Sequence, residues 1–258
     1  MHHLDDSLEL NEDSRKILKW TLKNTYDKHK LNNFLKYIRE NGFPLHDHIS
    51  DASSFNIPQD KYYVPIFSSL VEAAKSIPEI DDGIYGSSPG GVKIMYLYFN
   101  RVCEQLSQHH MNLLLDKGCL LHSYLHMNYF YDTVFAHVIH YVNANFGRHG
   151  VSTLNAIYKD KLPSSCFLNY YPSGKVQCGL AAHVDHVCFC SVIVKISDEV
   201  EVDSECLSIQ YLGKSGSTTF EYVDHMLSAY EGVIFGRLSH KVTFSARSSD
   251  RISLVLFY

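Results

Sequence analysis

Apolar positions along the chain change their period near residue 150. Before it they recur every three to four residues. Ile17, Leu18, Trp20 and Leu22, then Leu31, Phe34, Leu35 and Ile38, have the spacing of two consecutive amphipathic helices ending at Asn41-Gly42. Residues 43–64 carry Pro44, Pro58 and scattered Asp and Ser, and read as irregular connection before a helix around residues 67–76. The stretch DDGIYGSSPGG, residues 81–91, is rich in turn formers. The run VKIMYLYF fits a short strand or the start of a helix equally well, because so short an apolar run has no readable period. Two further helices are expected between about residues 100 and 145, broken at Lys117-Gly118.

After residue 150 the pattern is that of strands. CFLNYYP, HVCFCSVIVKI, CLSIQYL, EGVIFG, HKVTFSA and RISLVLFY are short, β-branched and aromatic, and Gly, Ser, Asp and Lys separate them. Six or seven such strands predict an antiparallel sandwich or barrel. The expected architecture is α+β: one domain over residues 1–258, mainly helical to about 150, with a β core over about 151–258.

Composition narrows the possibilities. At 258 residues and 45% hydrophobic, the chain can bury a core without disulfide or metal staples, and its apolar content argues against disorder. A net charge of −5, which the sixteen histidines offset as pH falls, implies no basic face for nucleic acid. The acidic start MHHLDDSLELNEDS lacks the cationic and apolar regions of a secretory signal, and no apolar run approaches the roughly 20 residues of a membrane span. Seven cysteines, an odd number without a CxxC, read as reduced thiols in a cytoplasmic protein.

The chemistry-bearing block is residues 168–253. It holds Asn169-Tyr170-Tyr171-Pro172, then His183-Val184-Asp185, then His240, then Arg251-Ile252-Ser253. A lone HxD is uninformative in a chain with sixteen histidines. On an extended segment, however, His183 and Asp185 leave the same face, and His240, 55 residues later, is far enough along for intervening strands to return it to them. Two imidazoles and one carboxylate on one side of a metal leave positions open opposite, which is the ligand set of non-haem Fe(II) oxygenases.

With NYYP, HxD, HKV and RxS in that order, the chain resembles the Fe(II)- and 2-oxoglutarate-dependent oxygenases. The likeness is to the branch of isopenicillin N synthase and the small-molecule dioxygenases, and it is carried mainly by residues 160–258. The resemblance implies a double-stranded β-helix, or jelly roll, with packed N-terminal helices. It implies His183, Asp185 and His240 as the catalytic iron ligands, and Arg251, Ser253 and Tyr171 on the distal carboxylate of 2-oxoglutarate. Asn169 would line the co-substrate pocket near the metal, and Tyr170 would point the other way into packing. Iron, 2-oxoglutarate and O2 would then oxidise a C–H bond of a small molecule, by hydroxylation, desaturation or ring closure, releasing succinate and CO2. Alternatives within the same reading are a peptide or protein hydroxylase and an inactive jelly-roll binding protein. An oxidase without 2-oxoglutarate would leave the carboxylate clamp without a purpose.

The chain ends at Tyr258, directly after the RIS strand, so cover for the site mouth is expected from the helical half, unless the site is open to a larger substrate. Eleven residues from His240 to Arg251 predict a long turn around residues 246–250. The pairs His122/His126 and His137/His140 have helical spacing but no carboxylate partner, so no metal is expected there. His186 is expected near the mouth, and Cys188 and Cys190 in core packing.

Overall fold

The structure, a computed structural model, describes residues 36, 52–79, 85–88, 90–99, 127–174, 179–185, 189–197, 207–212, 220–236, 238–243 and 249–258. Apart from Lys36, which is helical, the helices expected over residues 17–38 lie outside these residues, as do the Lys117-Gly118 break, His122, His126, His186 and Cys188.

Helix α1 (Tyr63–Lys75) starts where the Asp60 carboxylate accepts hydrogen bonds from the backbone N–H of Tyr62 and Tyr63 at 2.8 and 3.1 Å. That satisfies two of the otherwise unpaired donors at a helix start, and Pro65 is tolerated because its missing N–H falls in the same turn. Tyr63, Ile66, Phe67, Leu70 and Ala74 form its buried face. Helix α2 (Met127–Ile157) is broken at Gly147, where φ is 64°. It runs seven residues past the boundary expected at 150.

The described residues form eleven strands: β1 (Ser53–Asn56), β2 (Tyr85–Ser87), β3 (Lys93–Phe99), β4 (Ser165–Tyr171), β5 (Leu180–His183), β6 (Ser191–Lys195), β7 (Leu207–Leu212), β8 (Phe220–His225), β9 (Glu231–Phe235), β10 (His240–Val242) and β11 (Arg251–Phe257). They make a large sheet, ordered β1-β9-β6-β11-β4-β3-β2, and a small one, ordered β5-β10-β7-β8, with antiparallel pairing throughout.

The structure departs from the sequence reading in the first half of the chain and at β8. Strands β1, β2 and β3 precede residue 150 and belong to the large sheet, so the first half is not simply a helical layer. The ambiguous VKIMYLYF is β3, fixed by pairing with β4 on one side and β2 on the other. Strand β8, FEYVDH, was not expected because its exposed, charged sequence lacks the apolar signal of a buried strand; it is an edge.

Alternation in the large sheet builds two cores. Leu168, Val192, Val194, Ile252, Leu254 and Leu256 face the helices and meet Phe67, Leu70, Phe130, Val134 and Val138. Each such fully buried side chain contributes roughly 1.5–3 kcal/mol. The intervening positions Ile193, Val233 and Val255 face Leu207, Ile209 and Val242 of the small sheet. Cys190 is buried in the helix-side core, as expected, and burial pushes its thiol well above the ordinary range.

Three backbones meet at one end of the sandwich. The Gly179 N–H, just ahead of β5, donates to the Gly90 carbonyl in the β2–β3 turn at 3.2 Å. A Cβ on Gly90 would strike the Gly179 carbonyl, and one on Gly179 would strike the carbonyl of Val242. This contact pins the origin of β5, the strand that ends in His183.

Candidate metal centre and the cavity behind it

His183 and His240 meet because β5 and β10 pair in a register that makes them direct cross-strand partners. Their ring centroids are 4.2 Å apart. His183 is the last residue of β5, and Asp185 lies just beyond the strand, where its carboxylate reaches both rings. Oδ1 is 3.7 Å from His183 Nε2, and Oδ2 is 3.5 Å from His240 Nε2. One ligand atom from each of the three residues lies within 4.8 Å of the others. No other group of three or more His, Cys, Asp or Glu with this spacing occurs among the described residues.

The hydrogen bonds on the far side of each ring decide what faces inward. A proton on His183 Nδ1 is donated to the Ala181 carbonyl at 2.7 Å, and one on His240 Nδ1 to the Leu238 carbonyl at 3.2 Å. That tautomer leaves both Nε2 lone pairs directed at the space beside Asp185, the arrangement that orients metal-binding imidazoles. Burial holds the pKa of His240 below its usual value; Asp185 and the Leu238 carbonyl oppose this, and His183 adds to it. The neutral ring favoured by burial is the form that coordinates a metal. The Ser191 hydroxyl donates to Asp185 Oδ2 at 2.7 Å, and Phe235 packs its ring against His240 at 4.8 Å. Ser191 was not foreseen. Its only trace in the sequence is a hydroxyl heading the strand SVIVK, ahead of three apolar residues.

A cavity of about 160 Å³ opens behind the three residues. Asn169, Tyr171, Arg251 and Ser253 all line it. The β4–β11 register sets Arg251 opposite Tyr171 and Ser253 opposite Asn169. Arg251 is wholly buried and its guanidinium lies 5.3 Å from the Tyr171 ring centre, a cation–π contact that fixes the plane of the guanidinium. Tyr170 packs against the helix-side core, as its alternation with Tyr171 requires. Among the described residues, Asn169 Oδ1 and Ser253 Oγ are buried atoms without a hydrogen-bond partner. Buried polar atoms are ordinarily paired, so the unpartnered Ser253 hydroxyl, able to donate, together with a buried guanidinium in one cavity fits an anionic occupant. The donor set of two imidazole nitrogens and a carboxylate fits a divalent first-row metal such as iron.

The remaining histidine pair is elsewhere. His137 stacks on Phe55 with ring centroids 4.5 Å apart, and His140 is exposed on α2.

No family model and no curated protein matches the chain. Solved structures to which it is similar include members of the Fe(II)- and 2-oxoglutarate-dependent oxygenases. One is a carbocyclase, SnoK, from nogalamycin biosynthesis, 11% identical at a TM-score of 0.46 over 92% of this chain and 84% of that one. Another is a Pseudomonas putida prolyl-4-hydroxylase, 14% identical at 0.42 over 81% and 93%. A third is an oxidoreductase of the 2OG-Fe(II) oxygenase family from Burkholderia pseudomallei, 11% identical at 0.40 over 90% and 91%.

Proposed function

We propose that this chain is an Fe(II)- and 2-oxoglutarate-dependent oxygenase that oxidises a C–H bond of a small molecule. One observation carries the reading: a His183–Asp185–His240 cluster with inward-facing lone pairs adjoins a cavity that also contains a buried arginine and two orphan polar atoms. The strand order supports a jelly-roll core, since β4, β6, β9 and β11 fall in one sheet and β5, β7, β8 and β10 in the other.

With O2 as the oxidant, bound iron and the keto acid would supply oxidative decarboxylation of 2-oxoglutarate to succinate and CO2, and the remaining oxidising equivalents would act on a substrate C–H bond. His183, Asp185 and His240 hold the metal from one side and leave the cavity side free for other ligands. Arg251 and Ser253 grip the distal carboxylate, each charge-assisted bond contributing about 1.5–3 kcal/mol. Tyr171 packs its ring against the guanidinium and would complete the clamp, and Asn169 would line the path from the clamp to the metal. Ser191 holds the Asp185 carboxylate in its orientation, and Ile193, Leu180 and Val242 keep the cavity wall dry.

The test is an anaerobic titration of the metal-free protein with Fe(II), then 2-oxoglutarate, followed in the visible spectrum. A weak charge-transfer band that needs both supports the reading. Bound iron without the band removes the co-substrate, and no iron binding removes the oxygenase. A second reading, a peptide hydroxylase of the same chemistry, is favoured by His183, whose side chain is 40% exposed. Oxidised tryptic peptides, with no change in small metabolites after reaction with a cell extract, would select it.

A further inference from the structure

Burial along the cavity strands falls off in one direction. On β11, Arg251 and Ser253 are sealed at 0% and 1% exposed, Val255 is at 7%, and Phe257 is half-buried. On β4, Tyr171 and Asn169 are buried while Phe167 is half-buried. The cavity therefore has a closed arginine end and an open end walled by Phe167 and Phe257. The metal cluster belongs to the open end: Ser191, which hydrogen-bonds Asp185, is the cross-strand partner of Phe257.

The wall is built rather than incidental. Phe167 and Phe257 meet edge to face at 5.3 Å, and Tyr96 of β3 meets Phe167 edge to face at 5.2 Å. Such tandem T-shaped contacts hold each ring in one orientation. Among the described residues, Asp185 and Arg251 are the only acidic or basic side chains, histidines aside, that line the cavity. In the oxygenase reading these two are engaged by the metal and the co-substrate, so a charged substrate group brought to the wall would lose its water and gain no charged partner among the described lining residues.

Resting on that reading, we infer that Phe167 and Phe257, braced by Tyr96, determine specificity by receiving an uncharged ring or aliphatic face of the substrate and holding its C–H bonds beside the metal. A charged group can be carried only on a part of the substrate that stays outside the wall.

The experiment uses the full chain loaded with Mn(II) and 2-oxoglutarate, and reads the paramagnetic broadening of ring-proton NMR signals of three probes: cyclohexanol, cyclohexanecarboxylate and cyclohexylammonium. Cyclohexanol should be broadened about tenfold more than either charged probe at equal concentration. Phe257→Ala and the volume-retaining Phe257→Leu should each cut the cyclohexanol effect severalfold, while the water-proton relaxation that reports bound Mn(II) stays as in the wild type. Equal broadening of all three probes, or no change in both Phe257 variants with Mn(II) bound, overturns the inference. Failure of the underlying reading looks different: water relaxation shows no Mn(II) bound, or does not respond to 2-oxoglutarate, and both proposals then fall together.

Discussion

The same three strands, β4, β6 and β11, present two unlike faces. Toward the helices they show Cys166, Leu168, Val192, Val194, Ile252, Leu254 and Leu256, all buried in one apolar cluster. Toward the small sheet they show Asn169, Tyr171, Ser191, Ile193, Arg251, Ser253 and Val255, where polar groups are as deeply buried as the apolar ones. A one-residue step along a strand thus separates a surface selected for packing from one that carries buried polarity. The helix-facing side is apolar because it packs against the apolar faces of α1 and α2. The other side leaves Asn169 Oδ1 and Ser253 Oγ without partners, a cost that folding alone gives no reason to accept; a carboxylate accepting from the Ser253 hydroxyl would offset its share.

The contrast can be broken or sharpened by substitution. The largest effect should come at the residue both histidines approach: Asp185→Ala is expected to abolish stoichiometric iron binding while the metal-free protein melts near the wild-type temperature. A variant that still binds one iron per chain would end the ligand assignment. Next is the packing face. Leu254→Ala should cost about 2–5 kcal/mol in denaturant unfolding and leave the dissociation constant for 2-oxoglutarate unchanged in the folded fraction. Three residues earlier on the same strand, Arg251→Ala should do the reverse and weaken 2-oxoglutarate binding by at least about 100-fold by calorimetry, the lower end of what losing two charge-assisted bonds implies. If it instead chiefly unfolds the chain, the cavity face is structural.

Ser191→Ala should lower metal affinity about 10- to 100-fold through loss of the bond to Asp185, with folding intact. The smallest effect concerns pH. Burial holds His225 and His240 below their ordinary pKa, so above about pH 6.5 each is neutral in both the folded and unfolded chain. Below that value the unfolded chain takes up protons that the native rings resist, and the stability of the metal-free protein should fall as pH drops from 6.5 toward the native pKa values. Urea midpoints at pH 7.5 and 5.5 measure it. A midpoint that rises on acidification would contradict the burial of these rings.

The sequence made the cavity face more legible than the frame around it. Arg251 and Ser253, Tyr171 and Asn169, and His183 and Asp185 are each two apart in β-rich segments, so alternation alone predicts a common face for each pair. What alternation could not supply is which strands adjoin. That Arg251 lies across from Tyr171, and His183 across from His240, depends on pairings between segments many residues apart. The same limit explains β3, whose run of apolar residues has no period of its own and becomes a strand through its neighbours. It also explains Ser191, whose hydroxyl acquires meaning only from the carboxylate it meets. Strands β1 and β2, at four and three residues, are too short to register against a background of turn formers.

The contact between Gly90, Gly179 and the Val242 carbonyl has a consequence for how this protein can vary. Neither glycine lines the cavity, yet any other amino acid at either position must displace a neighbouring main chain. In a library of all single substitutions, these two positions should therefore be as intolerant as His183, Asp185 and His240. Supplying excess iron would rescue neither, because what is lost is the path of the chain that delivers His183 to His240.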